Sequence, residues 1–429
     1  MLRPNRLSLA AAAALALAAC GGDTHAPEVT TEPPPTSLCD RSINVPDGFC
    51  ARVFHTGVGA ARQLAVAANG DVFVAIRNSS SRGGVVALRD TDGDGRADLT
   101  ERWGDNGGSG IALGAETLYL ATESSVLRYA LASGSLTPVG TPQVVVSGLP
   151  ANRNHRHKSV ALHPDGWIFV GIGSPGNACQ DPPRTPGVAG KDPCDALERR
   201  AGVWRFRTDL TGQGQSDGVR FATGVRNAAA LAVHPTTHEL YSVVHGRDQL
   251  RELWPQFYSS QEGSENPSEE FVHLTEGADF GWPYCYHDPG ANRKILAPEY
   301  GGDGSAQGRC ADVDSPELGL PAHWAPNAMA FSVGEPLPEE YRDGAFVAFH
   351  GSWNRSPVQG GYSVVWVPFR NGSPTGDWEV FADGFSGGQV TSPAQAAYRP
   401  TGVAVGPDGA VYVSDSKVGR IWRIGLAEG

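Results

Sequence analysis

Several things are missing from this sequence, and each absence excludes something. The apolar run Leu7–Ala19 falls short of the roughly 20 residues that a helix needs to cross a bilayer. Positive charge is in deficit, with 34 Lys+Arg against 46 Asp+Glu and a net charge of −12, which argues against a nucleic-acid backbone as partner. There is no Cys-x-x-Cys and no Cys/His cluster at zinc spacing. No long stretch combines helical periodicity with caps, so helical bundles and doubly wound α/β folds are excluded. Gly171-Ile-Gly173-Ser-Pro-Gly176 fits G-x-G-x-x-G but lacks the helix that a dinucleotide site requires; Asn177-Ala-Cys-Gln-Asp-Pro-Pro183 follows and cannot open one.

The first residues carry a processing signal. A basic segment (Arg3, Arg6) precedes the short apolar run, which ends Leu17-Ala18-Ala19-Cys20-Gly21, the pattern of a bacterial lipobox. Cys20 is the expected lipidation site, and the absence of Asp after it points to an outer-membrane lipoprotein facing the periplasm, or to the cell surface. Residues 1–20 are thus read as a signal peptide, 21–38 as a Pro/Thr-rich tether that cannot bury a core, and 39–429 as the folded domain. Of seven cysteines, six remain after Cys20 and fall into sequence-local pairs. In an oxidising compartment the nearest-neighbour reading is Cys39–Cys50, Cys179–Cys194 and Cys285–Cys310.

One unit recurs six times: an apolar strand, a tight turn and a second alternating strand. The copies begin at Leu64, Ile111, Val160, Leu231, Met329 and Val403. Turns such as Pro164-Asp-Gly166 and Pro407-Asp-Gly409 carry a fixed φ, a capping side chain and a residue free to take positive φ. A single hairpin of this kind leaves an apolar face exposed, whereas six arranged about an axis bury those faces. The expected fold is therefore all-β, a six-bladed β-propeller with long loop insertions, and loops at one end of the ring are the place for function.

Polar and cationic residues gather in those loops. Asn152-Arg-Asn-His-Arg-His-Lys158 precedes the third copy and contains His155, a residue type suited to general-base work near neutral pH. Arg226-Asn227 precedes the fourth copy, Arg399 the sixth, and His350-Gly-Ser-Trp-Asn-Arg355 lies in the fifth. Converging, they would suit an anion with several carboxylates. Separately, Asp90, Asp92, Asp94, Arg96 (through its carbonyl), Asp98 and Glu101 occupy the ligand positions of an EF-hand loop, with Gly95 at the turn. Strand-like flanks make this an EF-like structural calcium loop within a blade connection.

The chain resembles the glucose/sorbosone dehydrogenase family of propeller quinoproteins, which bind pyrroloquinoline quinone (PQQ) and calcium. The carriers are Asn154-His155, Gly224-Val-Arg-Asn227, Gly246-Arg-Asp248, Phe280-Gly-Trp-Pro-Tyr284, His350-Gly-Ser-Trp-Asn-Arg-Ser-Pro357 and Arg399-Pro-Thr-Gly402. The resemblance implies His155 as catalytic base, with Asn154 where an orienting aspartate stands in the best-studied branch. It implies Arg226 and Asn227 at the reacting carbonyl side of PQQ, and Arg399 at a cofactor carboxylate. It also implies the backbone carbonyls of Gly246 and Arg247 as calcium ligands beside the quinone. Thr401 stands where a second arginine is expected, Arg355 is the substitute for a missing lysine, and Arg62-Gln63 is the candidate contact from the first blade. These departures point toward the sorbosone and pyranose dehydrogenase branches. The implied activity is oxidation of a sugar or sugar-derived aldehyde, with electrons passed to a periplasmic cytochrome or quinone. The alternatives from the sequence are a calcium-dependent lactonase-like hydrolase and a non-catalytic binding propeller.

Overall fold

A computed structural model describes residues 39–427 apart from 78–82, 152–153 and 335. The signal segment, Cys20 and the tether lie outside the described residues. The described chain is built almost entirely of strands, and the six repeats are the six blades. Each repeat supplies the inner strand and the next one outward, paired antiparallel: Ala61–Val66 with Val72–Ile76, Gly110–Leu113 with Thr117–Ala121, and Val160–His163 with Trp167–Ile172. The same holds for Ala230–Val233 with Leu240–Val244, Pro326–Val333 with Asp343–Phe349, and Pro400–Val405 with Val411–Asp415. The ring closes where the early strand Phe49–His55 pairs with the last, Ile421–Leu426, to complete blade six. Closure pairs the two ends of the domain within one sheet.

Alternation along each strand builds the core. On the second strand of blade one, Val72, Val74 and Ile76 pack toward blade six, while Phe73 and Ala75 pack toward blade two. The same period of two, repeated in every blade, makes six apolar clusters, one in each gap between neighbouring blades. Serine hydroxyls add a second stitch near the axis: Ser109 Oγ donates to the Lys158 carbonyl, and Ser414 Oγ to that of Arg62.

The surplus length sits in insertions. Blade four carries two short helices, Leu250–Leu253 and Ser260–Glu265, and a hairpin of Cys285–Asp288 with Arg293–Leu296. All three expected disulfides are formed, Cys39–Cys50, Cys179–Cys194 and Cys285–Cys310, so the local pairing read from the sequence holds.

Candidate active site

The inner strands all start at one mouth of the ring, and register decides what lines it. The residue two before the start of each repeat is Arg62, Ser109, Lys158, Ala229, Asn327 or Thr401, and all six line a single cavity of about 240 Å³. Gln63, His155, His157, Ser159, Asn227, His245 and His350 complete its wall. Gln63 reaches across the axis: its Nε2 donates to the carbonyls of Ala229 and Asn327 in blades four and five, each at 2.8 Å. Its donors thus tie the ring together.

Charge in this mouth is unbalanced. Among the described residues the Arg62 side chain has no hydrogen bond or ion pair, and burial together with Arg77, Arg399 and Arg156 pushes its pKa down to about 10. Burial and the charges of Arg62, Arg77 and Arg156 push His157 down to about 2. Burial, then Arg399 and Arg62, hold His350 well below the ordinary histidine range. Lys158 is buried, with Nζ donating to the Pro150 and Arg156 carbonyls at 2.9 and 2.8 Å; burial and Arg200 push it down to about 7. Arg399 stands behind this wall, bonded to the carbonyls of His350 and Gly351 at 3.0 Å.

His155 adopts a left-handed backbone conformation, φ 43°, unusual for a side chain of this size. Its Nδ1 lies 3.0 Å from both the carbonyl and the hydroxyl oxygen of Ser174. A carbonyl only accepts, so Nδ1 carries the proton and Nε2 is left with its lone pair. Burial, reinforced by Arg226 and His245, holds the ring well below its usual pKa and therefore neutral. Asn154 plays no part in this. It is exposed, and its amide donates to the Pro175 carbonyl at 2.9 Å, so Ser174 has the orienting role expected of Asn154.

Arg226 is buried behind His155. It donates to Asp248 Oδ2 at 2.8 Å, to Asn177 Oδ1 at 3.1 Å and to the Gly246 carbonyl at 2.6 Å, leaving Nε buried and without a partner among the described residues. Burial would raise Asp248, but Arg226 and Arg184 outweigh it and hold the carboxylate ionised. The calcium cage expected at Gly246 and Arg247 does not fit these surroundings. The Gly246 oxygen already takes a guanidinium, Asp248 is held by two more cationic contacts, and the Arg247 side chain is turned into a buried pair with Glu299. The nearby Glu269 is buried and pushed up to about 8, accepting from the Gly246 and Ala325 amides.

Two further expectations are corrected. Arg355 does not reach the mouth: it caps the loop beneath it, donating to the carbonyls of Ser264 and Ala322 at 2.7 and 3.2 Å. In the EF-like loop the carboxylates of Asp90, Asp92 and Asp98 converge to within 4.8 Å of one another. Asp94 and Arg96 shape the turn, the Arg96 amide donating to Asp94 Oδ1 at 2.8 Å. Glu101 is outside the converging group, on the exposed edge strand Leu99–Trp103. Sequence reading named His157 and Lys158 only as part of their loop and passed over Ser174, His245 and Asn327. Four of these line the cavity, and Lys158 and Asn327 occupy the shared register position, a signal present in the repeats.

The class defined by the fold and the site is a six-bladed β-propeller with a cation-rich axial mouth and a neutral, oriented histidine. The chain belongs to the TrAA12-like family, whose profile matches residues 43–426. A pyrroloquinoline quinone-dependent pyranose dehydrogenase of Coprinopsis cinerea is 28% identical over 239 residues, 48% of this chain and 30% of that protein. An uncharacterized protein of Borreliella burgdorferi is 31% identical over 206 residues, 47% of this chain and 48% of that protein. Less than half of either relative's length is therefore spanned. Among solved structures, the holo form of the pyranose dehydrogenase PQQ domain from Coprinopsis cinerea has a TM-score of 0.72 at 21% identity, covering 91% of this chain and 98% of that one. The calcium structure of Trichoderma reesei carbohydrate-active enzymes family AA12 has the same TM-score and coverage at 19% identity. The PQQ-bound aldose sugar dehydrogenase from Streptomyces coelicolor has 0.55 at 16%, over 89% and 99%. At these identities the structures share the fold.

Proposed function

We propose that this chain is a PQQ-dependent oxidoreductase that oxidises a hydroxyl or aldehyde carbon of a sugar, with the cofactor in the axial mouth. The observation that carries this reading is the uncompensated positive charge there. Among the described residues Arg62 has only cations for charged neighbours, and burial together with those cations keeps His157 and His350 neutral. A cavity built this way is a poor fit for a neutral occupant and a good one for a polyanion such as a tricarboxylate.

Bound PQQ would supply a two-electron acceptor able to take a hydride. The protein's part is to hold it and to move a proton. Arg62, with Arg399 behind the wall, would offset the carboxylates, and Asn227 would face the reacting side, with Arg226 held behind His155. His155 Nε2 takes the proton of the substrate hydroxyl as the C–H hydride leaves. The Ser174 carbonyl stabilises the charged imidazole that results. The lactonase alternative needs open carboxylates beside a metal, whereas Asp248 is engaged by Arg226 and Arg184.

Calcium is proposed at the EF-like loop, on Asp90, Asp92 and Asp98, in a structural role. Lipidation at Cys20, an outer-membrane location and a cytochrome or quinone as acceptor complete the proposal. The test is to load the purified protein with PQQ and follow dye reduction with a panel of sugars. Sugar- and PQQ-dependent reduction supports the reading; an inability to bind PQQ sinks it.

A further inference from the structure

Trp353 is the most exposed of the large aromatic side chains, with 52% of its surface in solvent, yet its neighbours are fixed. Ser352 is fully buried and bonded to Gly360 from both its amide and its hydroxyl. Asn354 donates to Asp248 Oδ1 at 3.1 Å, and Arg355 is held by the carbonyls of Ser264 and Ala322. The indole is therefore presented by a clamped loop and does not ride on a floppy one. The guanidinium of Arg184 lies over the ring, 5.7 Å from its centroid, and Arg184 also bonds Asp248 at 2.8 Å. Asp248 in turn holds Arg226. The exposed indole is thus linked through two ion pairs to the arginine behind His155.

We propose that Trp353 is a sugar-binding platform at the rim of the active site. Its open face stacks on the apolar C–H face of a pyranose ring. Arg184 backs the indole and, with Asn354, borders it with polar groups. The chemistry is that of an amphipathic ligand: a rigid indole offers area at little entropic cost, and a pyranose has one face of C–H groups and a periphery of hydroxyls. This deepens the proposed sugar oxidation and rests on it for the identity of the ligand. It assigns recognition of the substrate to a residue separate from the cofactor cavity, whose wall does not include Trp353.

The test uses full-length wild-type, Trp353→Ala and Trp353→Phe proteins loaded with PQQ, with D-glucose, D-galactose and cellobiose as probes. The expected result is a KM at least tenfold higher in Trp353→Ala for the best of these sugars, with kcat and PQQ affinity within twofold and most of the loss recovered in Trp353→Phe. A KM within twofold of wild type for every sugar overturns the platform. So does a change confined to the KM of the electron acceptor, which would give this face to the acceptor. PQQ binding, followed separately by its absorbance, tells failure of the quinone reading apart from failure of the platform. If PQQ does not bind, the same sugars are offered to the apoprotein in saturation-transfer NMR. A signal lost in Trp353→Ala upholds the platform, and no signal, or one unchanged by the substitution, overturns it.

Discussion

Gly173 passes so close to His155 that a methyl group on it would lie 2.4 Å from the His155 Cβ and 2.7 Å from Asn227 Oδ1. The glycine that looked like part of a phosphate-binding turn is there to let His155 and Asn227 approach the same backbone. Gly173→Ala is expected to displace His155 while leaving the blades intact. Turnover should fall about 100-fold, as a misplaced proton acceptor implies, with the circular dichroism spectrum unchanged. Steady-state rates of the PQQ-loaded variant check this.

Orientation of the base is assigned to Ser174 and withheld from Asn154. Asn154→Ala should leave kcat within about threefold of wild type, because among the described residues the amide bonds only the Pro175 carbonyl. His155→Gln should lower kcat by about 100-fold or more through loss of the proton acceptor, with PQQ affinity little altered. Equal losses in the two variants would restore Asn154 to the site.

Lys158 should give the proposed cofactor site a pH dependence. Without ligand its pKa is about 7, lowered by burial and then by Arg200. A bound polyanion favours the charged form and raises that value. Affinity is then full below pH 7, where both states are protonated, and weakens as pH rises through 7 toward the bound-state pKa. The limit for one proton is about tenfold per pH unit. Lys158→Met should flatten the profile of PQQ dissociation constant against pH between 6 and 9.

The EF-like loop predicts a calcium effect on stability alone. Saturating calcium should raise the midpoint of thermal unfolding, since a ligand at 100 times its Kd contributes about 2.7 kcal/mol. Asp90→Ala should abolish the rise. Glu101→Gln should leave it intact, because Glu101 is outside the converging carboxylates.

The blades were legible because one chemical unit, an apolar strand, a tight turn and an alternating strand, is repeated where the chain makes the same hairpin. The disulfides were legible because each pair spans a short loop. The mouth was half legible. His155, Arg226 and Asn227 stand out by residue type, whereas Ser109 and Asn327 are ordinary residues marked only by register, two before each repeat. What the sequence hid is contact between distant loops. Ser174 meets His155 across 19 residues and Asp248 meets Arg226 across 22. Arg355 had the right charge on the right loop, but its direction was set by the Ser264 carbonyl in blade four's insertion and the Ala322 carbonyl in the link to blade five. Gly246 offered a carbonyl of the right kind, and the arginine that occupies it came from another loop.

The central claim is that the mouth is charged for a polyanionic cofactor, and Arg62 tests it most directly. PQQ binding to the apoprotein, titrated by calorimetry for wild type and Arg62→Leu, should show one saturable site in wild type and an affinity at least tenfold weaker in the variant, about 1.4 kcal/mol. The unliganded variant should melt at or above the wild-type temperature, because it removes a cation that is repelled where it stands. Saturable binding unchanged by Arg62→Leu, or no binding by wild type, would contradict the account.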